Sequence, residues 1–351
     1  MADNQKTLNL LYGALNLFGL DRIYSRLTSR KSAIILMYHS ISTDADREWI
    51  DPDNDIPLPE FEAQMEHLSE NCNVVSMDEL CSRIRDKREL EPRSVVITFD
   101  DGYRNNLDAA LEVLERHDFP ATLYLATGYV DRGDAQWIDE LYSIFQRKTD
   151  DMLLFDDARF DLRLAANRDA AYERAKQWLL TAASDERREF LERLRAQLKP
   201  VETCPRLTLT WREVGEMLAR HPGVTVGVHT RDHVDLTGVD LETVRREIRS
   251  SLSDAAHNLK LESMHFSYPY GRWNERVRLL VEQSGLGSAV ATDDPAAAIT
   301  LDSDVYSLPR VEVPKDRRIF RLMVSGAYPG LPRLLFRRPH NFKYHNAMNP
   351  E

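Results

Sequence analysis

Cysteine is scarce: three residues in 351, at Cys72, Cys81 and Cys204. An odd, scattered set without a C-x-x-C pair excludes a disulfide framework and a cysteine-held zinc site. No run of about 18 apolar residues occurs, so no transmembrane helix is expected. The apolar stretch from Leu8 to Leu20 is broken by Gly13, Asn16 and Gly19, with no small-residue cleavage site after it. A secretory leader is therefore not expected, and residues 7–27 read as an amphipathic helix within an N-terminal segment over 1–31. Positive charge is also short: the net charge of −11 argues against a nucleic-acid partner. Internal repeats and low-complexity tracts are absent. What remains, with 42% hydrophobic residues, suffices for one large α/β domain or two modest ones.

The charge is uneven. From Lys315 to Glu351 eight Lys/Arg face two Asp/Glu, a net +6, against −17 for the 314 residues before them. Phe320, Leu322, Leu334, Leu335 and Phe336 interleave with Arg321, Arg333, Arg337 and Arg338 in this basic tail. A terminal segment packed on the domain is the first expectation, and peripheral contact with an anionic membrane or a partner is the alternative. The expected location is cytoplasmic, with membrane association left open.

Short continuous apolar runs at 33–38, 94–99, 121–126 and 224–228 suit strands buried on both faces. Shorter strands are expected at 265–268, 288–291 and 307–313. Between them, apolar residues recur at helical spacing: Phe61, Met65 and Leu68, then Leu107, Leu111 and Leu114, then Val244, Ile248, Leu252 and Ala255. Ser76-x-x-Glu79 and Thr210-x-x-Glu213 read as capping boxes, and Asp240 as an N-cap. Strand–helix–strand in this rhythm predicts βαβ units around a parallel sheet. The rhythm breaks at about 137–205, which is charged, helical and poor in Gly and Pro, and reads as a helical insertion.

Three constellations fall at predicted strand ends, where parallel α/β folds form sites. Thr98-Phe99-Asp100-Asp101-Gly102 puts two carboxylates together after a buried strand. That is costly without a cation or proton between them, so one can ligate a metal while the other faces substrate. Taken alone, the pair reads equally as a helix cap. His229 and His233, at i and i+4 past another strand, can present two imidazoles to one ion. A carboxylate with two imidazoles suits zinc or a similar divalent ion with open positions for water and substrate. Phe266-Ser267-Tyr268-Pro269-Tyr270-Gly271 makes a rigid turn whose backbone N–H can hold an oxyanion, although alone a simple turn is the better reading.

The ordered set T-F-D-D-G, H-T-x-x-H and Y-P-Y-G resembles the polysaccharide deacetylases with a NodB-homology domain, carbohydrate esterase family 4. Leu36-Met37-Tyr38-His39 and Leu308-Pro309-Arg310 resemble its exopolysaccharide-associated branch. The resemblance spans residues 32–315. It implies an α/β fold, a distorted (β/α)7-type barrel interrupted by the insertion and followed by the tail over 316–351. It implies hydrolysis of N-acetyl groups on sugars of a polysaccharide, oligosaccharide or glycolipid precursor. It further implies that Asp100 is the general base, that Asp101, His229 and His233 bind a divalent metal, and that Tyr270, after Pro269, lends its N–H to the oxyanion hole. Zinc is the expected metal, with cobalt, nickel or manganese as alternatives. The family's third-motif Arg is replaced here by Ser267, and Arg310 is the candidate substitute. The family's late acid His has no clear counterpart, and His39 is the candidate contributor, although it reads equally as a hydrogen-bonded structural histidine. An O-acetyl or other acyl-amide hydrolase, or a non-catalytic carbohydrate-binding homologue, is the alternative.

Overall fold

The computed structural model describes residues 32–260, 264–292 and 298–327. Seven parallel strands close a barrel: β1 (Ala33–Tyr38), β2 (Ser94–Phe99), β3 (Ala121–Leu125), β4 (Val224–Val228), β5 (His265–Ser267), β6 (Ser288–Ala291) and β7 (Leu308–Glu312). Each pairs with the next in chain order, and β1 closes the ring between β7 and β2. The apolar runs explain the closure: every residue of β2 and β3 is buried, as strands covered on both faces require. The barrel is distorted where β5, three residues long, meets β4 only through Phe266 opposite Val228. A two-residue strand, Asn73–Val74, also pairs with the opening residues of β2.

Helices cover the outside: α1 (Leu58–Asn71), α2 (Met77–Arg85), α3 (Leu111–His117), α4 (Thr127–Arg132), α5 (Trp137–Gln146), α6 (Ala165–Thr181), α7 (Ser184–Leu198), α8 (Trp211–Arg220), α9 (Leu241–Leu259), α10 (Glu275–Gln283) and α11 (Arg317–Leu322). The expected caps are formed. Ser76 Oγ accepts from Glu79 N at 3.1 Å, Thr210 and Glu213 cap reciprocally, and Asp240 Oδ1 accepts from Glu242 N and Thr243 N. Each satisfies amide groups that a helix start leaves orphaned.

Between β3 and β4 the chain builds α5, α6 and α7 with a hydrophobic cluster of their own, including Leu141, Leu179, Leu194 and Leu198. The sequence predicts helices here, and the structure adds an antiparallel hairpin, Met152–Phe155 against Ala158–Asp161. Its signal was hidden because Met152 and Leu154 are apolar yet face solvent, while Leu153 and Phe155 face inward. The alternation is present in space but invisible in a four-residue apolar run.

The start of the basic tail is packed on the barrel. Phe320 and Leu322 are buried, and Arg317 Nε donates to Glu60 Oε2 of α1 at 2.6 Å. These two apolar side chains are thus taken out of any membrane-facing surface. The expected helix at 7–27 and the tail residues Leu334, Leu335 and Phe336 lie outside the described residues. Among the described residues no helix is long and apolar enough to cross a membrane.

Asp139 of α5 ties the inserted helices to the barrel. It is fully buried, accepting from Tyr103 Oη at 2.7 Å and from Asp51 N at 2.9 Å. Burial outweighs these two hydrogen bonds and raises its pKa from 3.8 to about 7. A raised acid contributes stability that is complete below its unfolded value and is lost as pH climbs through its folded value. Between about pH 4 and pH 7 the fold should therefore lose on the order of 2–4 kcal/mol through this group. Asp139→Asn should flatten that slope in urea unfolding measured across the pH range. An unchanged slope would assign the pH dependence elsewhere.

Candidate active site

The C-terminal ends of the strands bring the predicted residues together. Asp100 and Asp101 follow β2, His229 follows β4, Ser267 ends β5, and Arg310 lies within β7 opposite Ile35 of β1. Asp101 and Gly102 both adopt positive φ, 70° and 69°, which turns the chain sharply off the strand. A Cβ at Gly102 would meet Leu125 Cδ2 at 2.7 Å, so only glycine fits this bend.

Asp100 and Arg310 form a buried bidentate pair. Arg310 Nη1 donates to Oδ1 at 2.7 Å and Nη2 to Oδ2 at 2.6 Å. Nη2 also donates to Ser267 Oγ at 2.7 Å, and that hydroxyl donates to Asp100 Oδ2 at 3.2 Å. Nη1 further reaches Thr98 Oγ1 at 3.1 Å. Burial alone would raise the Asp100 carboxyl, but the Arg310 guanidinium outweighs it and holds the group well below the usual carboxylate range. Two parallel charge-assisted bonds also fix its orientation.

Asp101, His229 and His233 form the other half, the one cluster among the described residues with metal-ligand geometry. His229 Nδ1 stands 2.7 Å from Ser267 O, so Nδ1 carries the proton and Nε2 presents a lone pair. His229 Nε2 is 3.1 Å from His233 Nε2 and 3.9 Å from Asp101 Oδ1, and His233 Nε2 is 3.4 Å from Asp101 Oδ1. Ligand atoms held about 2.0–2.1 Å from a tetrahedral zinc stand about 3.3 Å apart. Asp101 Oδ1 is buried without a hydrogen-bond partner. Burial, then the charges of Asp100 and Asp139, push the Asp101 carboxyl well above its ordinary value. Burial lowers both histidines, His233 strongly, so both are neutral imidazoles. Orphaned carboxylate oxygen, neutral imidazoles and matching spacing all fit a divalent cation.

The loop carrying both histidines is strained and held from below. Thr230 and His233 have φ of 61° and 50°, costly for non-glycine residues. Glu247 of α9, itself buried, accepts from Arg231 N at 3.1 Å and Asp232 N at 2.9 Å. Tyr270, at φ 59° in the Pro269–Gly271 turn, places its ring edge-to-face on His233 at 4.6 Å. Gly271 is required there, since a Cβ would fall 1.6 Å from Thr292 Oγ1.

His39 follows β1, close enough for its protonated form to act on both Asp100 and His233. It lines a cavity of about 330 Å³ at the barrel mouth with Asp53, Asn54, Glu312 and Lys315. Sequence reasoning missed Glu247, Trp137 and Arg187. Glu247 and Arg187 carried a signal: each is a charge on an apolar helix stripe, Glu247 between Val244 and Ile248 and Arg187 one turn before Phe190 and Leu191.

The family model for polysaccharide deacetylase matches residues 87–289, a span that contains all three motifs but neither His39 nor Arg310. YxkH of Bacillus subtilis (strain 168), whose name places it among the polysaccharide deacetylases, is 23% identical over 280 residues, 80% of this chain and 70% of that protein. In fold the chain is similar to the Streptococcus pyogenes deacetylase PplD, solved with acetate, at TM-score 0.57 and 17% identity over 83% of this chain and 98% of the other. It is also similar to IcaB from Ammonifex degensii, at TM-score 0.54 and 16% identity over 84% and 97%.

Removing Arg310 strands a buried carboxylate. Arg310→Met should cost about 3–5 kcal/mol. Combined with Asp100→Asn it should cost clearly less than the sum of the two single losses. Urea unfolding of the four metal-free proteins measures this, and simple additivity would deny the pair its coupling.

Proposed function

The chain belongs to the polysaccharide deacetylase family, and we propose that it is a metal-dependent enzyme that hydrolyses the N-acetyl group of an N-acetylated sugar, releasing acetate. The observation that carries this reading is the buried Asp100–Arg310 pair set against the Asp101–His229–His233 cluster. Asp101, His229 and His233 would hold the metal, with zinc favoured by a carboxylate and two imidazoles at tetrahedral spacing. Bound there, a divalent cation would supply a Lewis acid for the acetamide carbonyl and lower the pKa of the attacking water.

The chain's own residues supply the remainder. Asp100 Oδ2, 3.7 Å from His229 Nε2, faces the ligand cluster and takes the proton from water as it attacks. Arg310 keeps that carboxylate ionised and aimed, the task of the third-motif Arg that Ser267 replaces. Ser267 joins the network through its hydroxyl and orients His229 through its carbonyl. The Tyr270 N–H, in its fixed turn, stabilises the tetrahedral oxyanion. His39 gives the departing amine its proton. An occupied Arg position favours catalysis over a binding-only homologue. Membrane contact through the tail would rest on Leu334, Leu335 and Phe336, since Phe320 and Leu322 are buried.

Asp100→Asn should cut acetate release from N-acetylhexosamine oligomers by at least about 10²-fold while zinc content is retained. Turnover at the wild-type rate would remove Asp100 as the base, and equal turnover of matched O-acetyl sugars by the wild type would broaden the substrate to acyl esters. His39→Gln should slow amide hydrolysis more than it slows hydrolysis of 4-nitrophenyl acetate, whose leaving group departs without a proton. Equal slowing of both would remove His39 as the acid.

A further inference from the structure

Arg187 is a buried cation, 2% exposed, on the inserted helix α7. It has no carboxylate ion pair among the described residues. Its donors go to oxygens of three separate segments. Nε donates to Leu179 O at 2.7 Å, at the end of α6. Nη1 donates to His233 O at 3.0 Å and Asp232 O at 3.3 Å, in the metal-site loop. Nη2 donates to Tyr270 Oη at 3.2 Å, in the oxyanion turn, and to Leu180 O at 3.5 Å, again at the end of α6. Tyr270 Oη also accepts from Trp137 Nε1 at 3.2 Å and donates to His233 O at 3.3 Å. Trp137 opens α5, so both residues that grip Tyr270 belong to the inserted helices.

We propose that the inserted helices are a working part of the site: Arg187, with Trp137, locks His233 and Tyr270 into one unit and so sets both a metal ligand and the oxyanion N–H. This inference rests on the deacetylase reading. Its physical basis is the backbone of the two gripped residues. His233 and Tyr270 both sit at positive φ, a conformation that persists only when surrounding contacts over-determine it. A planar fork with five donors meets several acceptors at fixed angles, which a lysine ammonium does not. A burial cost of this size, with no counter-ion to offset it, is consistent with a role beyond filling the interface. Arg187 has no donor left for substrate and is a positioning residue.

The test compares zinc affinity, by competition with a chromophoric chelator, and steady-state acetate release for wild type, Arg187→Met, Arg187→Lys and Tyr270→Phe. Leu153→Ala, in the hairpin of the same segment, is the control for destabilisation alone. Arg187→Met should weaken zinc binding about 10–100-fold and lower kcat with little change in KM. Arg187→Lys should recover part of the loss, and Tyr270→Phe should move the same way by a smaller factor. Leu153→Ala should lower Tm yet keep wild-type zinc affinity. If Arg187→Met does not fold, Tyr270→Phe carries the test, because it removes only the shared hydroxyl. Wild-type zinc affinity in Arg187→Met, a loss in Leu153→Ala equal to that in Arg187→Met, or, where Arg187→Met does not fold, wild-type affinity in Tyr270→Phe, would overturn the inference alone. A wild-type protein that binds zinc but releases no acetate would overturn the deacetylase reading, while the affinity comparison still decides the role of Arg187.

Discussion

The buried pair between Asp100 and Arg310 is the constraint on which the site depends. Both groups are almost fully removed from water, where a charge is tolerated only when paired and hydrogen-bonded. Asp100 follows β2 and Arg310 lies in β7, the strands that flank β1 on either side. They meet only because the barrel closes, so the chemistry at the mouth is tied to completion of the ring by its last strand. Thr98 and Ser267 take up the two remaining Nη hydrogens, while the buried Nε of Arg310 has no partner. The result is an ionised carboxylate fixed 3.7 Å from the imidazole of His229.

Strain is concentrated beside that pair. Asp101, Thr230, His233 and Tyr270 all take positive φ. Such conformations need support from outside the loops. Glu247 supplies it from α9 by accepting two loop amides, and Arg231 adds a two-oxygen contact with Asp254 of the same helix. On the other side, the support comes from the inserted segment. The site thus sits between a barrel helix and an accessory unit, with the backbone of the loop between His229 and His233 held by a side chain from each.

Much of this architecture was legible because it follows from local rules. Buried parallel strands must be apolar throughout, so the runs at 94–99 and 121–126 identified themselves, and caps at Ser76, Thr210 and Asp240 marked helix starts. The Asp100–Asp101 and His229–His233 pairs were visible because a carboxylate and two imidazoles at strand ends together suit a divalent cation, although the Asp pair alone reads equally as a helix cap. What escaped depended on tertiary meetings. The hairpin over 152–161 has two solvent-facing apolar residues that mask its period. The contact of Arg187 with His233 links residues 46 apart, and no spacing rule reaches that far. Its one sequence trace, a cation on an apolar stripe, also fits an arginine that snorkels to solvent. Phe320, by contrast, turns inward beside His67 of α1, as the expected packing of the terminal segment on the domain requires.

The most direct measurement is elemental analysis of the purified protein together with acetate release from N-acetylhexosamine oligomers, before and after chelation. The predicted result is near-stoichiometric zinc or another divalent ion, with acetate release that chelator abolishes and added metal restores. A protein that takes up no metal after reloading, or that releases acetate equally well without it, would contradict the metal-dependent deacetylase assembled around Asp101, His229 and His233.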